Sequence, residues 1–298
     1  MISAWILALG AAFFYGTALV LSQFGLRYKS PTEGASISVP TAALFFLLLA
    51  PFLIDFSGFH LTALGVFIGI GVFFPGTVTL LTFMANDRMG PTIAGAIGNL
   101  TPLFAILFAI LIFGEAFGIV QAVGISVIIT GVTLLTLSRN GGGGSWPLWV
   151  VLLPLSGAAI RGIMQPGIKW GLELWPDPFA AVTIGYVVSS LFIVMVAFIR
   201  KQSATEPRLT GPKKISGILW FVAVGLCNGA AVLLTYEALI VGNITLVSPL
   251  IATYPLVTLI LSWLLIRDTR WNARIVIGIV ATVGGVGILL GAGRFLGV

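Results

Sequence analysis

The sequence predicts an all-α integral membrane protein of ten transmembrane helices, arranged as two inverted repeats of five. The first observation is composition: 58% of residues are hydrophobic and 8% are charged, whereas a soluble domain is about 25% charged. A soluble domain this apolar would lack the polar residues to cover its surface, so the bilayer must be the solvent. The second observation is an internal repeat, because Leu80–Ala85 returns at Leu233–Ala238, 153 residues later.

The repeat extends through both halves of the chain, at an offset of 153 in the later spans and of 146 in the first span of each half. The clearest matches are Gly16 with Gly162, Gly25 with Gly171, Pro102 with Pro255, Glu115 with Asp268, and Gly131 with Gly284. Five spans per half is an odd number, so the second half must enter the membrane upside down. Inverted repeats of this kind build many secondary transporters, with the substrate site near the membrane midplane at the repeat interface.

Ten stretches have the length of about 20 apolar residues that a spanning helix needs. They cover about 3–26, 34–54, 61–85, 90–113, 117–138, 146–171, 178–199, 216–240, 243–266 and 272–293. Four consecutive glycines, Gly141–Gly144, fall between spans five and six and indicate a flexible linker. The predicted units are therefore a first repeat at 1–139, a linker at 140–145 and a second repeat at 146–298.

Composition also limits the chemistry. The chain has one cysteine, Cys227, and one histidine, His60, so it offers neither a disulfide framework nor a His/Cys/carboxylate cluster with metal-ligand spacing. Nucleotide-binding and hydrolase motifs are absent from the sequence. We therefore expect no enzyme activity, no metal and no cofactor.

Arg161 is the strongest candidate for substrate binding. It lies about ten residues from the end of span six, roughly 15 Å deep at 1.5 Å per residue, and charged groups at that depth are functional candidates. Gln165 and Lys169 follow on the same helix face, and Tyr15 is the repeat equivalent of Arg161. The guanidinium offers five donors suited to a carboxylate or phosphate. The alternative is that Arg161 binds backbone carbonyls and holds the bundle together.

Lys169 lies near a helix end, where it could bind substrate or extend to the interface. Glu237 is a candidate proton-coupling carboxylate, but the sequence favours an ion pair between Glu237 and Lys169. Glu115 and Asp268 are expected to be structural, each facing the positive end of the helix that follows it.

Further polar residues lie on helix faces that could line a wet cavity. They are Gln23, Thr82, Asn99, Asn228, Thr235 and Ser248. Such residues also hold membrane helices together, so both interpretations stay open for each of them. The matched Pro102 and Pro255 each remove one helix hydrogen bond and predict bends that open space between the halves.

The five-plus-five spans, the Gly16…Gln23 and Gly162…Lys169 spacing, the Gly114-Glu115 turn and the glycine-rich spans five and ten resemble the EamA family of the drug/metabolite transporter superfamily. The resemblance covers nearly the whole chain. It implies metabolite transport, often export, by alternating access, and it names no single substrate.

The function we expect is secondary active transport, in the direction of export, of a small anionic or zwitterionic metabolite such as an amino acid or organic acid, by alternating access between the two inverted repeats. Protons are the candidate coupling ion, the bacterial inner membrane is the expected location, and the protein is a monomer or a homodimer. The alternatives are a passive channel and a membrane enzyme acting on a lipid-linked substrate.

Loop charge predicts the orientation. With ten spans, the side that carries both termini has one basic residue, Arg294, and the opposite side has twelve. Cytoplasmic loops carry the excess of Lys and Arg, so the termini are predicted to lie outside the cytoplasm. The same distribution explains the net charge of +6 without a nucleic-acid partner.

Overall fold

A computed structural model describes residues 3–115, 117–137, 147–201, 214–266 and 273–296. Across these residues the regular structure is helical, without a strand, which confirms the predicted all-α class. The α-helices are α1 (Ala4–Leu26), α2 (Pro31–Leu53), α3 (Leu61–Phe73), α4 (Gly76–Gly98), α5 (Thr101–Phe113), α6 (Ile119–Leu137), α7 (Leu148–Leu174), α8 (Pro178–Lys201), α9 (Lys214–Val241), α10 (Ile244–Ile251), α11 (Tyr254–Ile266) and α12 (Ala273–Leu296).

Twelve helices form ten spans because some spans are broken. Leu61–Arg88 joins α3 to the first part of α4, and Ile244–Leu265 joins α10 to α11; each is long and apolar enough to cross a membrane. Five further segments of the described chain meet the same criterion. Shorter apolar helices at Thr101–Phe113, Ile119–Gly131 and Val276–Ile288 supply the rest.

Two of the breaks are related by the repeat. The chain leaves the helix at Asn99-Leu100 between α4 and α5, and at the equivalent Ala252-Thr253 between α10 and α11. Pro102 then stands in the first turn of α5, and Pro255 is the second residue of α11. A proline has no N–H, which the first turn of a helix does not need, so each broken span restarts at its matched proline.

The predicted connection between spans three and four, Asn86–Met89, is helical in the structure. Helix α4 runs through it from Gly76 to Gly98, and the break at Phe74-Pro75 lies within span three. The side chains of Asp87 and Arg88 are exposed. Charged residues such as Asp87 and Arg88 do not have to end a helix, because the backbone N–H and C=O groups of the helix are hydrogen-bonded to each other.

The first helix of each repeat packs against the other repeat. A Cβ on Gly16 of α1 would lie 2.7 Å from the carbonyl oxygen of Tyr254, and a Cβ on Gly162 of α7 would lie 2.7 Å from that of Thr101. These are equivalent contacts, since Thr101 and Tyr254 match at the 153 offset. The first helix of each repeat therefore packs against the broken span of the other, and glycine is required for the close approach.

Helices α6 and α12 form a second contact between the repeats. A Cβ on Gly131 would lie 2.6 Å from the backbone nitrogen of Thr282, and one on Gly285 would lie 2.9 Å from the carbonyl oxygen of Gly124. Spans five and ten therefore pack directly against each other. The predicted linker at 140–145 lies outside the described residues, so the domain boundaries stay a prediction.

The alternation of ten spans gives the bundle two ends. We call the end at residues 54–60, 114–115, 117–118, 175–177 and 242–243 the terminal face, because α1 begins and α12 ends there. We call the opposite end the basic face; it holds residues 27–30 and 86–90 and the helix ends at Leu137, Leu148, Lys201, Lys214, Ile266 and Ala273. In the sequence, the segments that adjoin these positions carry twelve basic residues.

Candidate functional site

A cavity lies between the two repeats and is lined by residues of both. Its polar lining comes from both halves: Tyr15, Thr79, Thr82, Asn86, Arg161, Tyr186, Asn228 and Tyr254. Small and apolar side chains of α1, α4, α7 and α9 complete the wall. The lining therefore combines an apolar surface with a few convergent polar groups.

Arg161 supplies the cavity's one charge among the lining residues. Its Cζ lies 5.4 Å from the centre of the Tyr15 ring, which is cation–π geometry, and it also interacts with the hydroxyl of Tyr254. Its Nε is buried and has no hydrogen-bond partner. Within the described chain no carboxylate forms an ion pair with Arg161. A half-buried guanidinium whose Nε lacks a partner can bind an anionic group.

Four of the predicted binding residues line the cavity: Tyr15, Thr82, Arg161 and Asn228. Thr235 lies outside the cavity wall. It is buried, and its hydroxyl donates a hydrogen bond to the carbonyl oxygen of Ala231 at 2.8 Å. It also contacts Tyr15 through its side chain. Thr235 is therefore placed to hold the Tyr15 ring.

The other predicted residues lie between helices rather than in the cavity wall. Asn99, Gln165 and Ser248 are each at most 3% exposed, and Gln23 is partly exposed. All four carry at least one buried polar atom without a hydrogen-bond partner. Asn99 occupies the break that precedes α5, next to Gly98 of the cavity wall.

Lys169 is held by Glu115. The Nζ lies 3.1 Å from Oε1 of Glu115, so the ion pair that the sequence favoured between Lys169 and Glu237 is not formed in the described structure. Glu237 instead lies near Asp177, whose like charge repels it. Sequence periodicity could not identify Glu115, because the pair joins positions 54 residues apart on different repeats.

Glu115 also differs from its expected role. Its carboxylate accepts N–H groups at the start of α10 in the second repeat, whereas the sequence placed it at the start of the helix that follows it. The Gly118 N–H before α6 is satisfied by Gln121 instead. Asp268, the repeat equivalent, lies outside the described residues.

Four polar cavity residues were not among the binding candidates: Thr79, Asn86, Tyr186 and Tyr254. Asn86 is 6% exposed, and neither atom of its amide has a partner. The sequence does show Asn86 on the same face of α4 as Thr79 and Thr82, and this periodicity could have identified it. The tyrosines give no such pattern, because an aromatic residue in an apolar span also fits simple packing.

The cavity runs from the middle of the bundle toward the basic face. On α7 the lining extends from Pro154 to Arg161, in the half of the helix that starts at the basic face. On α1 it begins at Tyr15 and continues toward the same face through Leu19. Gln165 and Lys169 lie beyond the cavity's inner end, toward the terminal face.

Metal binding has no candidate in the part of the chain that the structure describes, since no group of three His, Cys, Asp or Glu residues comes together there. The polar groups of the cavity are hydroxyls, amides and one guanidinium. These groups suit hydrogen bonding to an organic anion.

Comparison with known proteins agrees with this architecture. The chain is 30% identical over 129 residues to an uncharacterized transporter of Methanothermobacter thermautotrophicus, a match that covers 43% of this chain and 38% of that protein. A solved crystal structure shares the fold, with a TM-score of 0.78 and 18% identity over 98% of both chains. The model of the EamA-like transporter family matches twice, at residues 2–137 and 148–291. With both repeats matched, this chain belongs to the EamA-like transporter family.

Proposed function

We propose that this protein is a secondary active exporter of a small anionic or zwitterionic metabolite, an amino acid or organic acid, and that Arg161 binds the substrate carboxylate. The observation that carries the proposal is the state of Arg161: it lines the cavity, its Nε has no partner, and no described carboxylate pairs with it. A charge in this position is costly unless an anion joins it.

The aromatic surroundings support an organic anion. Tyr15 faces the guanidinium, and Tyr186 and Tyr254 complete the wall. A carboxylate can accept two parallel N–H bonds from the guanidinium, while the tyrosine rings contact the carbon skeleton of the substrate. A cationic drug fits poorly, because no carboxylate lines the described wall.

We propose export because the resemblance of the sequence implies it, and the direction of the cavity agrees with substrate loading from the cytoplasm. The cavity extends toward the basic face, which loop charge assigns to the cytoplasm. In this state the substrate enters from the cytoplasm and is released after the opposite face opens. The proposed location is a bacterial inner membrane.

A proton gradient is the proposed energy source, and Glu237 is the candidate coupling carboxylate. The test is an acid pulse to proteoliposomes that contain a substrate. Faster transport in the wild type and loss of that acceleration in Glu237→Gln support coupling through this residue. Equal acceleration in both would remove Glu237 from the coupling route.

A thermal-shift screen tests the substrate class, because a ligand that binds only the folded state raises apparent stability. The panel holds amino acids, organic acids, nucleosides, sugar phosphates and organic cations. At roughly 100 times its Kd, a ligand stabilises by about 2.7 kcal/mol. We expect carboxylates to stabilise the wild type and the Arg27→Gln control, whose substituted side chain is exposed outside the cavity, but not Arg161→Gln. Stabilisation by cations alone, or by carboxylates in Arg161→Gln, would contradict the proposal.

A further inference from the structure

The carboxylate of Glu115 joins the first repeat to the second at the terminal face. Its Oε1 accepts the N–H of Ile244 at 2.9 Å, and its Oε2 accepts the N–H of Thr245 at 2.9 Å. These are the first two residues of α10, so the negative charge meets the positive end of that helix. The Glu115 side chain is only 5% exposed.

Lys169 completes this contact from α7. Its Nζ lies 3.1 Å from Oε1 of Glu115, 3.4 Å from the carbonyl oxygen of Gly242 and 3.4 Å from Oδ1 of Asn243. The ammonium also lies 5.6 Å from the centre of the Phe113 ring. Both charged groups are therefore fully engaged, and three separate segments of the chain meet at one point.

The position of this contact relative to the cavity is informative. Arg161, Gln165 and Lys169 follow one another at four-residue intervals on one face of α7, and the cavity ends at Arg161. Gln165 is 3% exposed and lies between the cavity end and the ion pair. The Glu115–Lys169 contact thus lies on the line from the cavity to the terminal face.

A second contact between the repeats lies on the same face. The backbone N–H of Asp55 donates to Oδ2 of Asp177 at 2.8 Å, and Nε1 of Trp175 donates to the carbonyl oxygen of Asp55 at 3.1 Å. The segments after α2 and α7 are therefore tied together beside the ion pair. The face opposite the cavity's direction is held by polar contacts across the repeat interface.

We propose that the Glu115–Lys169 ion pair is a latch that closes the transport pathway at the terminal face. The ion pair separates when the cavity opens to that face. The inference rests on the transport function proposed above, but not on the substrate class. The latch holds the start of α10, whose span breaks at Ala252-Thr253 beside the cavity residue Tyr254. Release of α10 would therefore move a wall of the binding site.

The repeat itself limits this latch to one face. The equivalent of Lys169 at the 146 offset is Gln23, near the basic face, and Gln23 cannot form an ion pair with any partner. Its Nε2 has no hydrogen-bond partner. The stronger closure therefore belongs to the terminal face, which agrees with a cavity that extends toward the basic face.

A neutral double variant tests the latch without burying an unpaired charge. Glu115→Gln with Lys169→Met removes both charges and keeps an oxygen acceptor for the start of α10. A charge exchange is unsuitable, because a lysine at position 115 would face the N–H groups of Ile244 and Thr245. The matched control is Lys29→Met with Glu33→Gln, a partly buried pair at 3.3 Å within the start of a single repeat.

The readout is cysteine labelling in a Cys227→Ala background, which needs no substrate. Gln165→Cys reports access from the terminal face, and Gly157→Cys reports access to the cavity, where the nearest atom to a new Cβ is Leu81 Cβ at 3.8 Å. A membrane-impermeant maleimide is applied to each side of oriented vesicles. Folding of every variant is checked by a monodisperse elution profile.

We expect the neutral double variant to raise labelling of the Gln165→Cys reporter from the terminal face by about tenfold, as a minor open state becomes dominant. Labelling of the Gly157→Cys reporter should fall at the same time. The Lys29/Glu33 control should leave both rates unchanged. Unchanged rates in the double variant, a rise at both reporters, or equal changes in the control would overturn the latch. Failure of the substrate screen would leave these rates unaffected, so the two proposals fail independently.

Discussion

The guanidinium of Arg161 lies over the ring of Tyr15, with Cζ 5.4 Å from the ring centre. Tyr15 is the midpoint of α1 (Ala4–Leu26), and Arg161 is the midpoint of α7 (Leu148–Leu174). The two residues are also equivalent in the repeat. An inverted repeat brings the middles of its first helices together at the pseudo-two-fold axis, and here that point holds a cation on an aromatic face.

The matched glycines of these helices should be essential for packing. Gly16→Ala and Gly162→Ala each place a Cβ 2.7 Å from a backbone carbonyl oxygen, and backbone cannot move aside cheaply. Overpacking of this kind costs about 1–3 kcal/mol. We expect both variants to lower the thermal unfolding midpoint of the purified protein.

Gly65→Ala and Gly69→Ala are the controls for this prediction, because a Cβ at either position meets nothing within 4 Å. They should leave the midpoint unchanged or raise it slightly, since alanine favours the helix. Equal loss of stability in all four variants would show that the close crossing is not the cause.

The matched prolines should affect turnover more than folding. Pro102→Ala and Pro255→Ala restore a backbone N–H at the start of α5 and α11 and favour a continuous helix across each break. We expect lower transport rates with nearly unchanged expression, measured by uptake in vesicles and by quantitative blotting. Unchanged kinetics in both variants would show that the breaks do not shape the pathway.

The orientation follows from loop charge and is tested at the C-terminus. With ten spans, the sequence assigns twelve basic residues to one side of the membrane and one, Arg294, to the side of the termini, so we expect the termini outside the cytoplasm. Alkaline phosphatase fused after Val298 should be active, and green fluorescent protein should be dark. The reverse pattern would place the termini in the cytoplasm and the cavity toward the outside.

Much of the architecture could be predicted because the sequence contains a detectable internal repeat. The offsets alone pair Tyr15 with Arg161 and Pro102 with Pro255, and the structure places the first pair in contact and the second pair after equivalent breaks. Symmetry needs no knowledge of side-chain contacts, so these relationships can be derived before any coordinates.

The contents of the cavity could be predicted less well. Asn228 lines the wall and Ser248 is buried between helices, yet both are small polar residues on an otherwise apolar helix. In a membrane protein the same residue types line water and hold helices together, and periodicity does not say which faces meet. The ion pair between Lys169 and Glu115 could not be predicted for the same reason, because it depends on how the two repeats pack against each other.

Transport by Arg161 variants tests the central claim most directly. In proteoliposomes loaded with the carboxylate that stabilises the wild type most, Arg161→Lys keeps the charge but loses the fork of donors, and Arg161→Ala loses both. We expect transport to fall strongly in Arg161→Lys and to be absent in Arg161→Ala, while both proteins insert and purify normally and Arg27→Lys transports as the wild type. Transport by Arg161→Ala at the wild-type rate would contradict the account.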